Sequence, residues 1–197
     1  MKEIIIATRN KGKAKEFIEF FSVYGIRARS LLDLNEKIPD VKETGSTFEE
    51  NAALKSEEIA ALLNVPVLAD DSGLEVDALN GEPGIYSARY AGEMKDDALN
   101  IDKVLTNLID VPVEQRTARF ICVLALTQPN GRTTLYKGAC EGSIATAPSG
   151  EFGFGYDPIF IPRNSKKTMA ELTPVQKSKI SHRKNAIIQL DEWIRNL

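Results

Sequence analysis

Two adjacent carboxylates, Asp70 and Asp71, follow the short apolar run Val65, Val67 and Leu68 and precede Ser72-Gly73. The run reads as a buried strand emptying into a Ser-Gly turn, and in open α/β sheets ligands bind where strands end. A carboxylate pair there suits a hard cation. Mg2+ takes one or two protein carboxylates and fills its other positions with water and phosphate oxygens, so one of this pair and a distant acid such as Glu43 would suffice. Side chains alternate along a strand, so while the strand continues only one of the two faces a site. The remaining carboxylate could orient a water for in-line attack on phosphorus. The competing reading is a turn in which Asp71 caps the Ser72-Gly73 backbone.

Four further groups could serve the same chemistry. Thr8-Arg9-Asn10-Lys11-Gly12-Lys13 sits where a strand hands over to a helix, and exposed N–H groups there, with Lys13, make an anion cradle. The P-loop spacing Gly-x-x-x-x-Gly-Lys-[Ser/Thr] is absent, and a lysine-rich, solvated first turn is the alternative. Gly153-Phe154-Gly155-Tyr156-Asp157-Pro158 fails as a dinucleotide fingerprint, since Pro158 holds the last position and the loop precedes a strand. Phe154 and Tyr156 on that frame could stack on a planar base, with Asp157 accepting from ring N–H groups; otherwise the aromatics plug the core. Ser181-His182-Arg183 follows Lys177 and Lys179. His182 is the sole histidine, and no Gly-x-Ser-x-Gly elbow supplies a nucleophile for it. It reads as a hydrogen-bonding group for base or sugar, or else as part of a solvated helix cap. Lys55 is either a phosphate contact or a surface lysine.

The elements that must position these groups alternate. Ile4-Ile5-Ile6 is a buried strand, and Asn10 caps a helix with the stripe Phe17, Phe20, Phe21 and Tyr24, stopped at Gly25. Thr47-Phe48-Glu49-Glu50 fits a capping box opening a helix to about Leu63, followed by a strand over Val65 to Ala69. Leu74, Val76 and Ala78 alternate with Glu75 and Asp77 as a half-exposed strand up to the turn signal Asn80-Gly81, which makes a hairpin after the acidic pair. Asp96 or Asp97 starts a helix carrying Ile101, Val104, Leu105 and Leu108; a long strand runs from Ala118 to Thr127, and Pro129-Asn130-Gly131 turns it into Thr133 to Ala139. Ile159-Phe160-Ile161 is a short strand. Thr173-Pro174-Val175-Gln176 is a capping box, and a helix with Ala186, Leu190, Trp193 and Ile194 closes the chain. The class is α/β with a mixed sheet.

The 197 residues, 43% of them hydrophobic, read as one domain, 1–197. Twenty-five Lys+Arg against 28 Asp+Glu leave a net charge of -3, which points to neither nucleic acid nor an anionic membrane and leaves a small anionic ligand open. No run approaches a membrane span, and the opening apolar stretch is too short for a signal peptide, so a cytoplasmic protein is expected. Cys122 and Cys140 lack Cys-x-x-Cys spacing and read as reduced core residues.

Taken together and in order, these pieces resemble the inosine triphosphate pyrophosphatase family, whose members hydrolyse dITP, ITP and XTP. The match rests on Thr8-x-Asn10-x-x-Lys13-x-x-Glu16, on Glu43-Thr44-Gly45-x-Thr47-Phe48-x-Glu50-Asn51-Ala52-x-x-Lys55 and on Ala69-Asp70-Asp71-Ser72-Gly73-Leu74. Gly81-x-Pro83-Gly84-Ile85-Tyr86-Ser87-Ala88-Arg89, Gly153 to Pro158 and Ser181-His182-Arg183 complete it. The resemblance implies an elongated α/β fold with two lobes around a central cleft, working as a homodimer with Mg2+. It implies that Thr8, Arg9, Asn10, Lys11, Gly12, Lys13 and Lys55 hold the triphosphate and that Glu43 and Asp71 serve the metal. Asp71 would be the water-activating base, with Asp70 supporting it. Ser72, Phe154, Gly155, Tyr156, Asp157, Lys177, His182 and Arg183 would contact the nucleotide and read its base. Lys42 stands where several relatives carry an acid, which leaves open which acid reaches the metal. The rival readings are a nucleotide-binding regulatory protein without turnover and a Mg2+ pyrophosphohydrolase of capped or dinucleotide substrates.

Overall fold

Ile4, Ile5 and Ile6 are β-branched and apolar on every side, a pattern that only a strand covered on both faces can satisfy. In the computed structural model, which describes residues 3–34 and 38–195, they form β1 (Glu3–Ile6) with all three buried. β1 pairs in parallel with β2 (Arg27–Ser30), Ile5 opposite Arg29, and with β3 (Val67–Val76), Ile5 opposite Val67. β4 (Thr117–Thr127), β5 (Thr133–Ile144) and β6 (Phe160–Pro162) complete a sheet of order β2-β1-β3-β4-β5-β6. β6 runs antiparallel to β5, so the sheet is mixed and the class is α/β.

α1 (Lys11–Ser22) starts at Asn10, whose side chain accepts the Lys13 N–H, and buries Ala14, Phe17 and Phe21. α2 (Phe48–Leu63) is capped by Thr47 and ends where Asn64 turns left-handed. α3 (Asp97–Asn107) is capped by Asp96. α4 (Pro174–Ile180) has its capping box and its Pro at the first position, where a missing N–H costs nothing. The chain falls into two compact units: Met1–Asp71, Val123–Lys137 and Ala186–Leu197 form one, Ser72–Cys122 and Gly138–Asn185 the other. The first has a core that includes Ile5, Leu31, Ile59, Val67 and Ala69; the second packs Leu74, Val104, Leu108, Phe120, Ile144 and Phe160. Cys122 and Cys140 are buried thiols, and burial, with Glu141 and Asp157 nearby, pushes Cys140 up to about 11. Among the described residues no helix is long and apolar enough to cross a membrane.

Several expectations are corrected. β3 begins at Val67, not Val65, and runs unbroken through Asp70, Asp71, Ser72 and Gly73 to Val76, so there is no Ser-Gly turn; the hairpin after the acidic pair is present in short form, closed by the antiparallel bridge between Glu75 and Pro83. Eight of its ten residues are buried, and such a central strand overrides the turn preference of Ser-Gly. Ala78 lies in a short 3-10 turn, Asp77–Leu79, after which Asn80 and Gly81 reverse the chain as their positive φ angles of 54° and 88° allow. β2, Arg-Ala-Arg-Ser, carries no apolar pattern and owes its existence to pairing with β1, while β5 extends five residues beyond Ala139. The closing helix is broken into α5 (His182–Ile187), a 3-10 turn and α6 (Asp191–Arg195).

Candidate active site

In the first unit the polar side chains gather on β3. Lys55, two turns into α2, spends its three ammonium hydrogens on Glu43 Oε1 at 2.9 Å, Asp71 Oδ1 at 3.0 Å and the main-chain oxygen of Asp70 at 2.8 Å. With 12% of its side chain exposed, it is not a surface lysine. Lys13, from α1, pairs with the Asp70 carboxylate. The two neighbouring acids are therefore claimed by lysines from different helices, as alternation along a strand demands.

Asp71 keeps one atom out of this network. Its Oδ2 is buried and accepts no hydrogen bond among the described residues. Burial pushes the Asp71 carboxyl above its ordinary value, against the pull of Lys55 and Lys13, with the charge of Glu43 adding to the rise. Burial pulls Lys55 down, but Asp71 and Glu43 together outweigh it and hold the ammonium above its usual value. Glu43 and Asp71 both bond the Lys55 ammonium, and with the unclaimed Oδ2 of Asp71 they are the acids here that could hold a cation. Among the described residues no three His, Cys, Asp or Glu side chains gather into an all-protein cage. Two carboxylates suit Mg2+, which keeps its other positions for water and phosphate.

The cradle residues are partly engaged. Thr8 is buried, with its hydroxyl accepting the Asn10 N–H at 3.2 Å, and Asn10 in turn takes the Lys13 N–H at 3.0 Å. Lys11 and Gly12 form the first turn of α1. Arg9 is directed elsewhere: its guanidinium donates to Asp40 at 2.7 Å and to the Ile38 carbonyl, tying down the segment that leads to Glu43.

In the second unit the loop before β6 is built around Asp157. The Oδ2 of Asp157 accepts the Phe154 N–H at 2.9 Å and the Lys177 ammonium at 2.6 Å, and both partners of that ion pair are buried. Gly153 and Gly155 hold φ angles of 82° and 58°, which a side chain would resist. Asp97, at the start of α3, accepts the Gly155 N–H at 2.8 Å. The Phe154 ring has the Lys177 ammonium 4.7 Å and the Arg183 guanidinium 5.7 Å from its centre. Arg183 donates to Ser72 Oγ at 3.0 Å. His182 lies stacked on Phe120, ring centres 4.8 Å apart and planes 21° from parallel. Lys177, His182 and Arg183 are all buried, so the solvated-cap reading of this stretch fails.

One expectation for this loop needs correction. Tyr156 does not present its ring for stacking: it is packed in the core, and its hydroxyl donates to the Ser87 carbonyl at 2.7 Å. The Oδ2 of Asp157 is already engaged by two protein donors, the Phe154 N–H and the Lys177 ammonium. Asp97, Ser87 and Phe120 support the loop and His182, yet none stood out in the sequence beyond a helix cap, a motif position and a strand residue. Pairings across 58 and 69 residues leave no local pattern.

The model of the Ham1 family matches residues 4–193. The chain belongs to the Ham1 family. This Ham1-family chain is 60% identical over 197 residues to a protein of Oceanobacillus iheyensis named dITP/XTP pyrophosphatase, covering 100% of both. It is 56% identical to the protein of that name from Halalkalibacterium halodurans, over 98% of this chain and 100% of the relative. The solved Ham1 protein of Staphylococcus aureus superposes with a TM-score of 0.87 at 51% identity, covering 99% of each chain. The family and the relatives' names agree with the resemblance carried by the six motifs.

Proposed function

We propose that this Ham1-family chain hydrolyses deaminated purine nucleoside triphosphates, dITP, ITP and XTP, to the nucleoside monophosphate and pyrophosphate. The observation that carries the proposal is end-to-end identity of more than half of all residues with relatives named dITP/XTP pyrophosphatase. The local chemistry supports it. Water attacks the α-phosphorus, the bond from that phosphorus to the bridging oxygen breaks, and pyrophosphate leaves with the electron pair. Asp71 orients the water and takes its proton. A carboxyl raised by burial is a stronger base than a solvated one. Asp70, paired with Lys13, supports the strand at that point.

Glu43 and Asp71 would hold Mg2+, which when bound supplies Lewis-acid polarisation and charge neutralisation at phosphate oxygens. Lys13 and Lys55, with Thr8, Asn10, Lys11 and Gly12, bind the phosphates; Arg9 contributes by fixing the approach to Glu43. Catalysis in such a site is mostly positioning and electrostatics. Ser72, Phe154, Gly155, Lys177, His182 and Arg183 take the nucleoside, while Tyr156 and Asp157 keep the loop in shape. Hypoxanthine and xanthine offer a 6-oxo acceptor and an N1–H donor that adenine lacks, and buried polar groups left unpaired by adenine would reject it. The same reading makes the working form a Mg2+-dependent homodimer in the cytoplasm.

The test is product analysis on dITP, ITP, XTP, GTP, dUTP and a dinucleoside tetraphosphate, with and without Mg2+. Pyrophosphate and monophosphate from the first three, only with Mg2+, are expected. Release of orthophosphate would overturn the cleavage assignment, and binding without turnover would make the chain a regulatory binder.

A further inference from the structure

Asn51, on α2, is a second group after Asp71 whose hydrogen-bonding capacity is only half used. Its side chain is fully buried. Its Oδ1 accepts the Gly45 N–H at 2.8 Å, while its Nδ2 has no partner among the described residues. A buried donor left unpaired costs stability, and an apolar residue of similar volume would be free of that cost. The atom that is paired, Oδ1, reaches the segment that carries Glu43.

Its surroundings indicate a role. Gly45 comes two residues after Glu43, and here the main chain presses against the first turn of α2. A Cβ on Gly45 would lie 2.6 Å from the Glu50 Cβ, 2.8 Å from Asn51 Oδ1 and 3.0 Å from the Asn51 nitrogen, so only glycine fits. Beside it the Ser46 N–H is taken by the Glu50 carboxylate at 2.6 Å. Asn51 and Glu50 thus pin two consecutive main-chain N–H groups to α2. Asn51 also stands four residues before Lys55, on the same face of the helix, and Lys55 is the group on which Glu43 and Asp71 converge. One helix face therefore holds the main chain that carries Glu43 and the ammonium that receives it.

We propose that Asn51 is a positioning residue for Glu43, setting the main chain at Gly45 so that the Glu43 carboxylate meets Asp71 in the geometry a divalent cation requires. The inference rests on the reading that Glu43 and Asp71 hold that cation. The donor set of α2 is then divided: Lys55 touches the acids, and Asn51 acts one bond removed, through the loop.

The full chain is compared with Asn51→Leu and Gly45→Ala, which attack the same contact from its two sides. Mn2+ binding is titrated by electron paramagnetic resonance without nucleotide, dITP turnover is measured separately, and the unfolding midpoint is recorded. Loss of a group that orients a metal ligand is expected to weaken Mn2+ binding and lower kcat by about 10- to 100-fold. KM for dITP stays within about twofold, since the nucleotide contacts are intact. Asn51→Leu should leave the midpoint within about 4 °C, because it removes the unpaired Nδ2 donor while leaving the Gly45 N–H without its acceptor. The double variant is expected to be no worse than the poorer single one, as both break one contact. If Asn51→Leu does not fold, Gly45→Ala decides by the same Mn2+ titration. Parent-like Mn2+ affinity and kcat in the folded variants overturn the inference. A parent chain that binds no Mn2+ overturns the metal reading, and this inference with it.

Discussion

Each of the two units contains a buried lysine–aspartate pair, and the pairs are put to different use. Lys55 meets Asp71 at 3.0 Å in the first unit, and Lys177 meets Asp157 at 2.6 Å in the second. Asp157 is architectural: one oxygen holds both the lysine and the Phe154 N–H, and the loop's shape depends on it. Asp71 is left poised. One oxygen goes to Lys55, the other is buried and unclaimed among the described residues, and burial raises the carboxyl. The same pair of residue types yields a shared oxygen in one unit and, in the other, an oxygen withheld from the protein donors, the one the proposed mechanism uses. Exposure does not separate the two, since all four side chains are nearly buried; hydrogen-bond accounting does.

The sharpest way to break this contrast is Asp71→Asn. It should lower the rate of pyrophosphate release from dITP by about 100- to 10,000-fold, as removal of a general base does, and leave the fold in place because Lys55 keeps Glu43 and the Asp70 carbonyl. Parent-like release would show that Asp71 is not the base. Next in size is Lys177→Met. Stripping one partner from a buried pair costs about 3–5 kcal/mol, read as a lower urea midpoint, and adding Asp157→Asn should recover part of the loss. If the single variant is as stable as the parent, the pair is not architectural. The smallest effect is expected of Tyr156→Phe, which removes the bond to the Ser87 carbonyl at a cost of about 1 kcal/mol. KM for dITP should not move. A rise in KM with unchanged stability would return Tyr156 to the ligand.

How much of this could be read from the chain depends on the reach of the interaction. Helix caps were legible at Asn10, Thr47, Asp96 and Thr173, because each side chain bonds an N–H three residues on and leaves a local pattern. The buried strands β1 and β4 were legible from apolar runs. β2 was not, since Arg-Ala-Arg-Ser becomes a strand only through its neighbour β1. The Ser72-Gly73 turn was wrong for the same reason in reverse: a local preference lost to ladder pairing in a strand buried over most of its length.

Residue type and spacing by themselves determined the α/β class and the short list of groups fit for chemistry, and the motifs carried the resemblance to the family, because motifs and amphipathic periods are written within a few residues of one another. Only the tertiary structure decided which partner each group has. It gave Lys13 to Asp70, Lys55 to Asp71 and Lys177 to Asp157, put Tyr156 in the core and left one oxygen of Asp71 without a partner among the described residues. Those outcomes depend on which donors reach which acceptors across tens of residues, and a linear pattern carries no record of that.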